Sequence, residues 1–212
     1  MLKDTQKKIS DAFTRMAFDL ITDIPDSILP KIENPEKRAK LLTKQAAAKA
    51  AAISATLAIP GGFAGVLTSL PDLYTIWKIQ AKLVADIAAS FGKYAELNKE
   101  AMLWCLFRHS ASQVLRDLFV KTSNRIITQK ISLLALQNIL KQIGVQQASK
   151  FLSKHFVKIV PLAGALASGA YAAYDTREVG KTALTYFKAL AKNQEHPQEI
   201  KESKEIKCDR YQ

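Results

Sequence analysis

Few residues in this chain have the types and spacing for covalent chemistry. Cys105 and His109 stand four apart, which puts both on one face of a helix as a possible metal-ligand or nucleophile pair. Zinc takes three or four ligands from closely spaced motifs, and nucleophilic catalysis needs a third, orienting group; neither accompanies the pair. It reads as a buried cysteine beside a surface histidine. Asp72 and Asp86 lie on nearly the same side of one predicted helix, but fourteen residues separate them by about 21 Å, too far for one acid/base dyad. Asp72 reads as a helix cap and Asp86 as the partner of Lys82 one turn earlier. Gly61, Gly62 and Gly65 lack the lysine and hydroxyl residue of a phosphate-binding loop. No catalytic, cofactor-binding or metal-ligating residue is assigned, no cofactor is expected, and a non-enzymatic protein is favoured.

Two polar groupings remain. His109, Gln113 and Arg116 form a candidate polar groove, against the plainer reading of a solvated helix face. Lys141, Lys150, Lys154 and Lys158 are candidate contacts with an anionic surface, the last three opposing Phe151 and Phe156. Net charge is +12, and no acidic residue occurs between 118 and 174, so the positive field belongs to the body of the chain. Such a balance favours lipid headgroups, nucleic acid or an acidic protein surface. Nucleic acid is the lesser option, since neither helix-turn-helix spacing nor an aromatic platform is evident.

The elements that must position these residues are helical. Ala, Leu, Ile, Lys and Gln dominate, and the 8 glycines and 7 prolines are clustered. We expect an all-α fold, a compact multi-helix bundle with Ala/Gly-rich central helices. Three parts are expected: 1–33, an amphipathic helix (Ile9, Phe13, Met16, Leu20, Ile24) and a linker punctuated by Pro25, Pro30 and Pro35; 34–192, the helical domain; and 193–212, a polar tail expected to be disordered.

Within the domain, Asn34, Pro35 and Glu36 read as N-cap, first position and first turn of a helix running to about Ile59. A short apolar helix is expected to end at Leu70, with a restart at Pro71. The next helix is apolar on most sides, with a polar stripe of Thr75, Lys78, Lys82 and Asp86 and a left-handed end at Gly92. Further helices are expected over 98–120, from about 123 to Gly144, over 145–159 and over 175–192, after a second small-residue segment at 162–174.

The run 50–71 carries no charge and approaches the length of a bilayer span. Its Ala, Ser and Thr content and the break at Pro60-Gly61-Gly62 favour buried core instead. The polar N-terminus lacks a signal-peptide pattern, and with only two cysteines no disulfide framework is expected, which suits the cytoplasm.

Ile59-Pro-Gly-Gly-Phe-Ala-Gly65, Leu70-Pro-Asp-Leu73, Ile87-Ala-Ala-Ser-Phe-Gly92, Ile159-Val-Pro-Leu-Ala-Gly164, Ala167 to Tyr174, Val179-Gly-Lys-Thr-Ala183 and Tyr186-Phe187 carry a resemblance to the bacterial EcsC family, over roughly 40–190 and without the N-terminal helix and tail. A helical domain of unknown function found with some GTPase-linked membrane proteins shares much of the pattern. The resemblance implies a bacterial, cytoplasm-facing helical protein that works beside membrane transport or secretion machinery; it implies no catalytic residue. The expected function is peripheral association with the cytoplasmic membrane face or a membrane complex. The alternatives are a soluble interaction or regulatory module that meets an acidic protein, and a helical enzyme or lipid-binding protein with an apolar cavity.

Overall fold

In the computed structural model, residues 2–57, 64–111, 115, 119–122, 125–128, 132–155 and 161–195 are described. The fold is all-α: α1 (Leu2–Thr22), α2 (Pro35–Leu57), α3 (Ala64–Ser90), α4 (Lys99–Phe107), α5 (Leu133–His155) and α6 (Pro161–Glu195). A short antiparallel hairpin, β1 (Phe119–Thr122) with β2 (Arg125–Thr128), is inserted between α4 and α5, with Phe119 opposite Thr128 and Thr122 opposite Arg125.

Local signals set several boundaries where the sequence places them. The Asn34 carboxamide accepts from the Lys37 amide at 3.2 Å, and Pro35 opens α2. Asn98 caps α4 by accepting from the Ala101 amide at 2.8 Å. At the end of α3, Gly92 takes φ +66°, its amide reaches Ala89 O at 2.8 Å, and the Lys93 amide reaches Ala88 O at 2.8 Å. That pair of bonds is a Schellman closure, and it needs the left-handed conformation glycine adopts without strain.

Other boundaries differ from expectation. The helix expected over 98–120 stops at Phe107, and the one expected from about 123 is replaced at its start by β2; Phe119-Val-Lys-Thr122 and Arg125-Ile-Ile-Thr128 are rich in β-branched residues, which favour a paired strand. α5 begins instead after Ser132, whose hydroxyl accepts from the Ala135 amide at 3.2 Å. Pro71 lies inside α3 rather than restarting the chain. Gly144 does not close a helix but sits buried inside α5, and residues 161–195 form one helix rather than a small-residue segment followed by a second. Residues 60–62, where a break is expected, and the residues beyond 195 lie outside the described residues.

α3 supplies the centre. Ile76, Trp77, Ala81, Leu83, Val84, Ile87 and Ala88 are buried, while Thr75, Lys78 and Lys82 stay exposed on the expected stripe. Asp86 takes its ion pair from Lys82, and Ser27 donates to the same carboxylate at 2.6 Å, fastening the linker to α3. α1 is part of this core: Ile9, Phe13, Leu20 and Ile21 are all buried in the same cluster as α3, α4 and α5. Trp77 is clasped between Phe13 (5.6 Å between ring centroids) and Phe107 (5.2 Å, edge-on).

Two seams are thin because glycine and alanine line them. A Cβ added at Gly144 would meet Thr14 Oγ1 of α1 and approach Ser10 O to 2.8 Å. On α6, Gly169 packs over Ala51 O and Gly180 over Thr43, both of α2. The alanine face of α2 (Ala39, Ala47, Ala50) is fully buried.

Candidate functional site

The polar residues that converge come from two helices distant in sequence, α3 and α6, and from the turn that follows α4. α4 ends at Phe107, so His109 sits in the turn that follows rather than on a continuing helix face. That turn aims the imidazole at the middle of α6, where Nε2 meets Asp175 Oδ1 at 2.6 Å, with side chains 15% and 17% exposed. The other carboxylate oxygen accepts from Gln80 Nε2 of α3 at 2.8 Å, and the same amide donates to Thr176 Oγ1 at 3.2 Å. Gln80 and Thr176 are 1% and 0% exposed. Each partner satisfies a polar group that would otherwise be costly to bury.

The site opens on a cleft of about 40 Å³ walled by Leu73, Trp77, Leu106 and Phe107 beside Gln147 and Tyr171. That is room for a few waters and not for a lipid chain. Tyr171, half exposed at the rim, has its hydroxyl pushed above the usual phenol range, first by partial burial and then by the Asp175 charge.

When Asp175 accepts from Nε2–H, the second ring nitrogen, Nδ1, is turned away from the carboxylate, the arrangement used to orient a general base. Nδ1 is enclosed and has no hydrogen-bond partner among the described residues. The pair therefore has the orienting half of a proton relay without a nucleophile bonded to the imidazole. What the geometry does accomplish is mechanical: a charge-assisted bond, typically about 1.5–3 kcal/mol, ties the turn after α4 to α6 through Asp175.

Of the residues singled out from sequence, His109 occupies this cleft and is not a surface histidine; Gln113 and Arg116 lie outside the described residues. Cys105 is fully buried, and burial pushes its thiol above the ordinary value of 9.0, so it stays protonated and unreactive in the native state. Lys141 is exposed on α5. Lys150 and Lys154 belong to the same helix, Lys150 about half a turn out of phase with Lys141, and Lys158 lies outside the described residues. Sequence reasoning misses Asp175 and Gln80 as site residues. Gln80 carries a readable signal, since it falls four residues from both Ile76 and Val84 in an apolar stripe, where a polar side chain persists only with partners.

Among the described residues no helix is long and apolar enough to cross a membrane, and no cluster of three or more His, Cys, Asp or Glu side chains could hold a metal ion. Neither the curated proteins nor the solved structures contain a match to this chain. The family model of the EcsC protein family matches residues 3–189, which takes in α1 as well as the 40–190 stretch of the sequence resemblance. That match spans most of the chain, and the chain belongs to the EcsC protein family.

Proposed function

We propose that this protein is a non-catalytic helical module that associates peripherally with the anionic, cytoplasm-facing surface of a membrane or of a membrane-bound transport or secretion complex. The observation that supports the reading is the charge imbalance: 31 lysines and arginines against 19 aspartates and glutamates, with no acid between 118 and 174. A protein this basic is drawn to any anionic surface within a Debye length, about 8 Å at physiological salt. The small size of the His109 cleft argues against the alternative of a lipid-chain carrier at that place.

Co-sedimentation with vesicles tests the proposal. Binding to phosphatidylcholine vesicles that contain phosphatidylglycerol, weakening as salt rises, is the expected result. Equal binding to neutral and anionic vesicles, or none to either, refutes it.

A further inference from the structure

The sequence reading places the basic surface on α5, yet the densest exposed basic face among the described residues is on α2. Its inner side is alanine packed on α6 and α3. Its outer side exposes Lys37, Arg38, Lys40, Leu41, Lys44 and Lys49. At about 100° per residue these span roughly half the circumference. Leu41, 48% exposed, lies near the middle, in line with exposed Ala48 and Ala52; Lys37, Lys40 and Lys44 flank the line on one side and Arg38 and Lys49 on the other. No acidic residue lies on this face. The one acid of α2, Glu36, is turned to Lys188 of α6 at 2.7 Å. Its carboxyl is held below the ordinary value of 4.5, first by that hydrogen bond and then by the charges of Lys188, Lys40 and Lys192, against the opposing effect of burial.

We infer that the outer face of α2 is the surface that docks on anionic lipid, lying parallel to the bilayer with Leu41 toward the acyl boundary. The inference rests on the proposed peripheral association and assigns it a face. A face with five cations and no acid is attracted to phosphate headgroups, and Leu41 in its midst can reach the acyl boundary. Lysine stems can reach along the line through Leu41 while their ammonium groups stay among the headgroups. A protein partner fits less well: four of the five cations are lysines, a type depleted at protein interfaces, and the face carries no aromatic anchor.

The test compares two charge-matched variants of the full chain, each checked for helical circular dichroism. One carries Lys37→Glu, Lys44→Glu and Lys49→Glu on α2; the other carries Lys7→Glu, Lys8→Glu and Arg15→Glu on the exposed side of α1. Each cation near an anionic surface strengthens partitioning about fivefold, so the α2 variant is expected to lose at least about a hundredfold on phosphatidylglycerol-containing vesicles. The α1 variant is expected to lose much less. A neutralised set, Lys37→Gln, Lys44→Gln and Lys49→Gln, reads the same face if the reversal impairs folding. Leu41→Trp supplies a second readout, a blue-shifted emission on those vesicles.

If the wild type binds but the α2 variant binds equally well, if both variants lose alike, or if the emission of the Leu41→Trp protein does not move, the docking face is overturned while peripheral association stands. If the wild type binds no vesicle, association itself fails and the face with it. Retention on an acidic polypeptide with no vesicle binding assigns the face to a protein and overturns the lipid inference.

Discussion

Gly180→Ala separates two effects that pull in opposite directions. Judged by intrinsic preference, alanine in the interior of α6 stabilises the helix by about 1 kcal/mol relative to glycine. Judged by packing, the added Cβ meets both branches of Thr43, Oγ1 and Cγ2, and lies 2.9 Å from its Cβ. Thr43 cannot turn away cheaply: a β-branched side chain has few rotamers in a helix, and its hydroxyl already donates to Ala39 O at 2.7 Å. The helices must then part, and overpacking of this kind costs about 1–3 kcal/mol. Contact with three atoms of one stiff side chain puts the substitution at the upper end, for a net loss of about 2 kcal/mol. For a chain of this size that lowers the melting temperature by about 4–8 °C. Urea unfolding followed at the helical dichroism band measures the loss directly. In a double-mutant cycle, Thr43→Ala should restore most of it, because the obstacle is then gone and the propensity gain remains. A Gly180→Ala protein more stable than the wild type, or a cycle with no coupling, would refute close approach as the reason for glycine here.

Three further outcomes follow from the polar and buried groups. Gln80→Leu removes the donor shared by Asp175 and Thr176, so stability should fall by about 1–3 kcal/mol in urea despite the gain in apolar character; an unchanged midpoint would mean that the amide is not what satisfies the carboxylate. Glu36 is held below its ordinary 4.5, so its interaction with Lys188 is fully present above that value and is lost as pH falls through the lower folded-state value. The melting-temperature gap between wild type and Lys188→Gln should therefore close on acidification below 4.5, and a gap that widens there contradicts the pairing. In a Cys208→Ser background, a disulfide reagent should label Cys105 only as fast as the native state opens, since the thiol is fully buried and its ionisation suppressed; rapid labelling without denaturant would show that α4 is not packed as described.

What could be read from sequence was what neighbours along the chain decide. Asn34 and Pro35 begin a helix through a cap that spans three residues, Gly92 ends one through two backbone bonds, and Lys82 finds Asp86 one turn away. The apolar circumference of α3 was legible for the same reason. Gly144 shows where local reading stops. In isolation it looks like a helix end, yet its role is set by Thr14 and Ser10 of a helix far away in the chain. The hairpin fails differently: Ile126 and Ile127 fit either a helix face or a short strand, and a four-residue segment offers too little periodicity to choose. The His109 site was half legible. Its histidine stood out, but its partner lies 66 residues on, and the signal from Gln80 became meaningful only with Asp175 opposite it.

The same helix links the packing and the proposed function. α2 contributes mainly small side chains to its inner side, where Ala39, Ala47 and Ala50 are buried and where Ala51 and Thr43 meet Gly169 and Gly180 of α6. Because alanine loses no side-chain entropy on burial and lets the backbones come close, that face holds without large side chains. Every long side chain between Lys37 and Lys49 except half-buried Leu42 is thus free to project outward, and most carry positive charge. Replacing the inner alanines by larger residues would push α2 away from α6 and also break the Glu36–Lys188 contact that keeps the acid off the outer face. The small-residue seam and the basic surface are therefore two consequences of one residue pattern, so variants that disturb only the outer lysines are the ones that can report on docking without unmaking the fold.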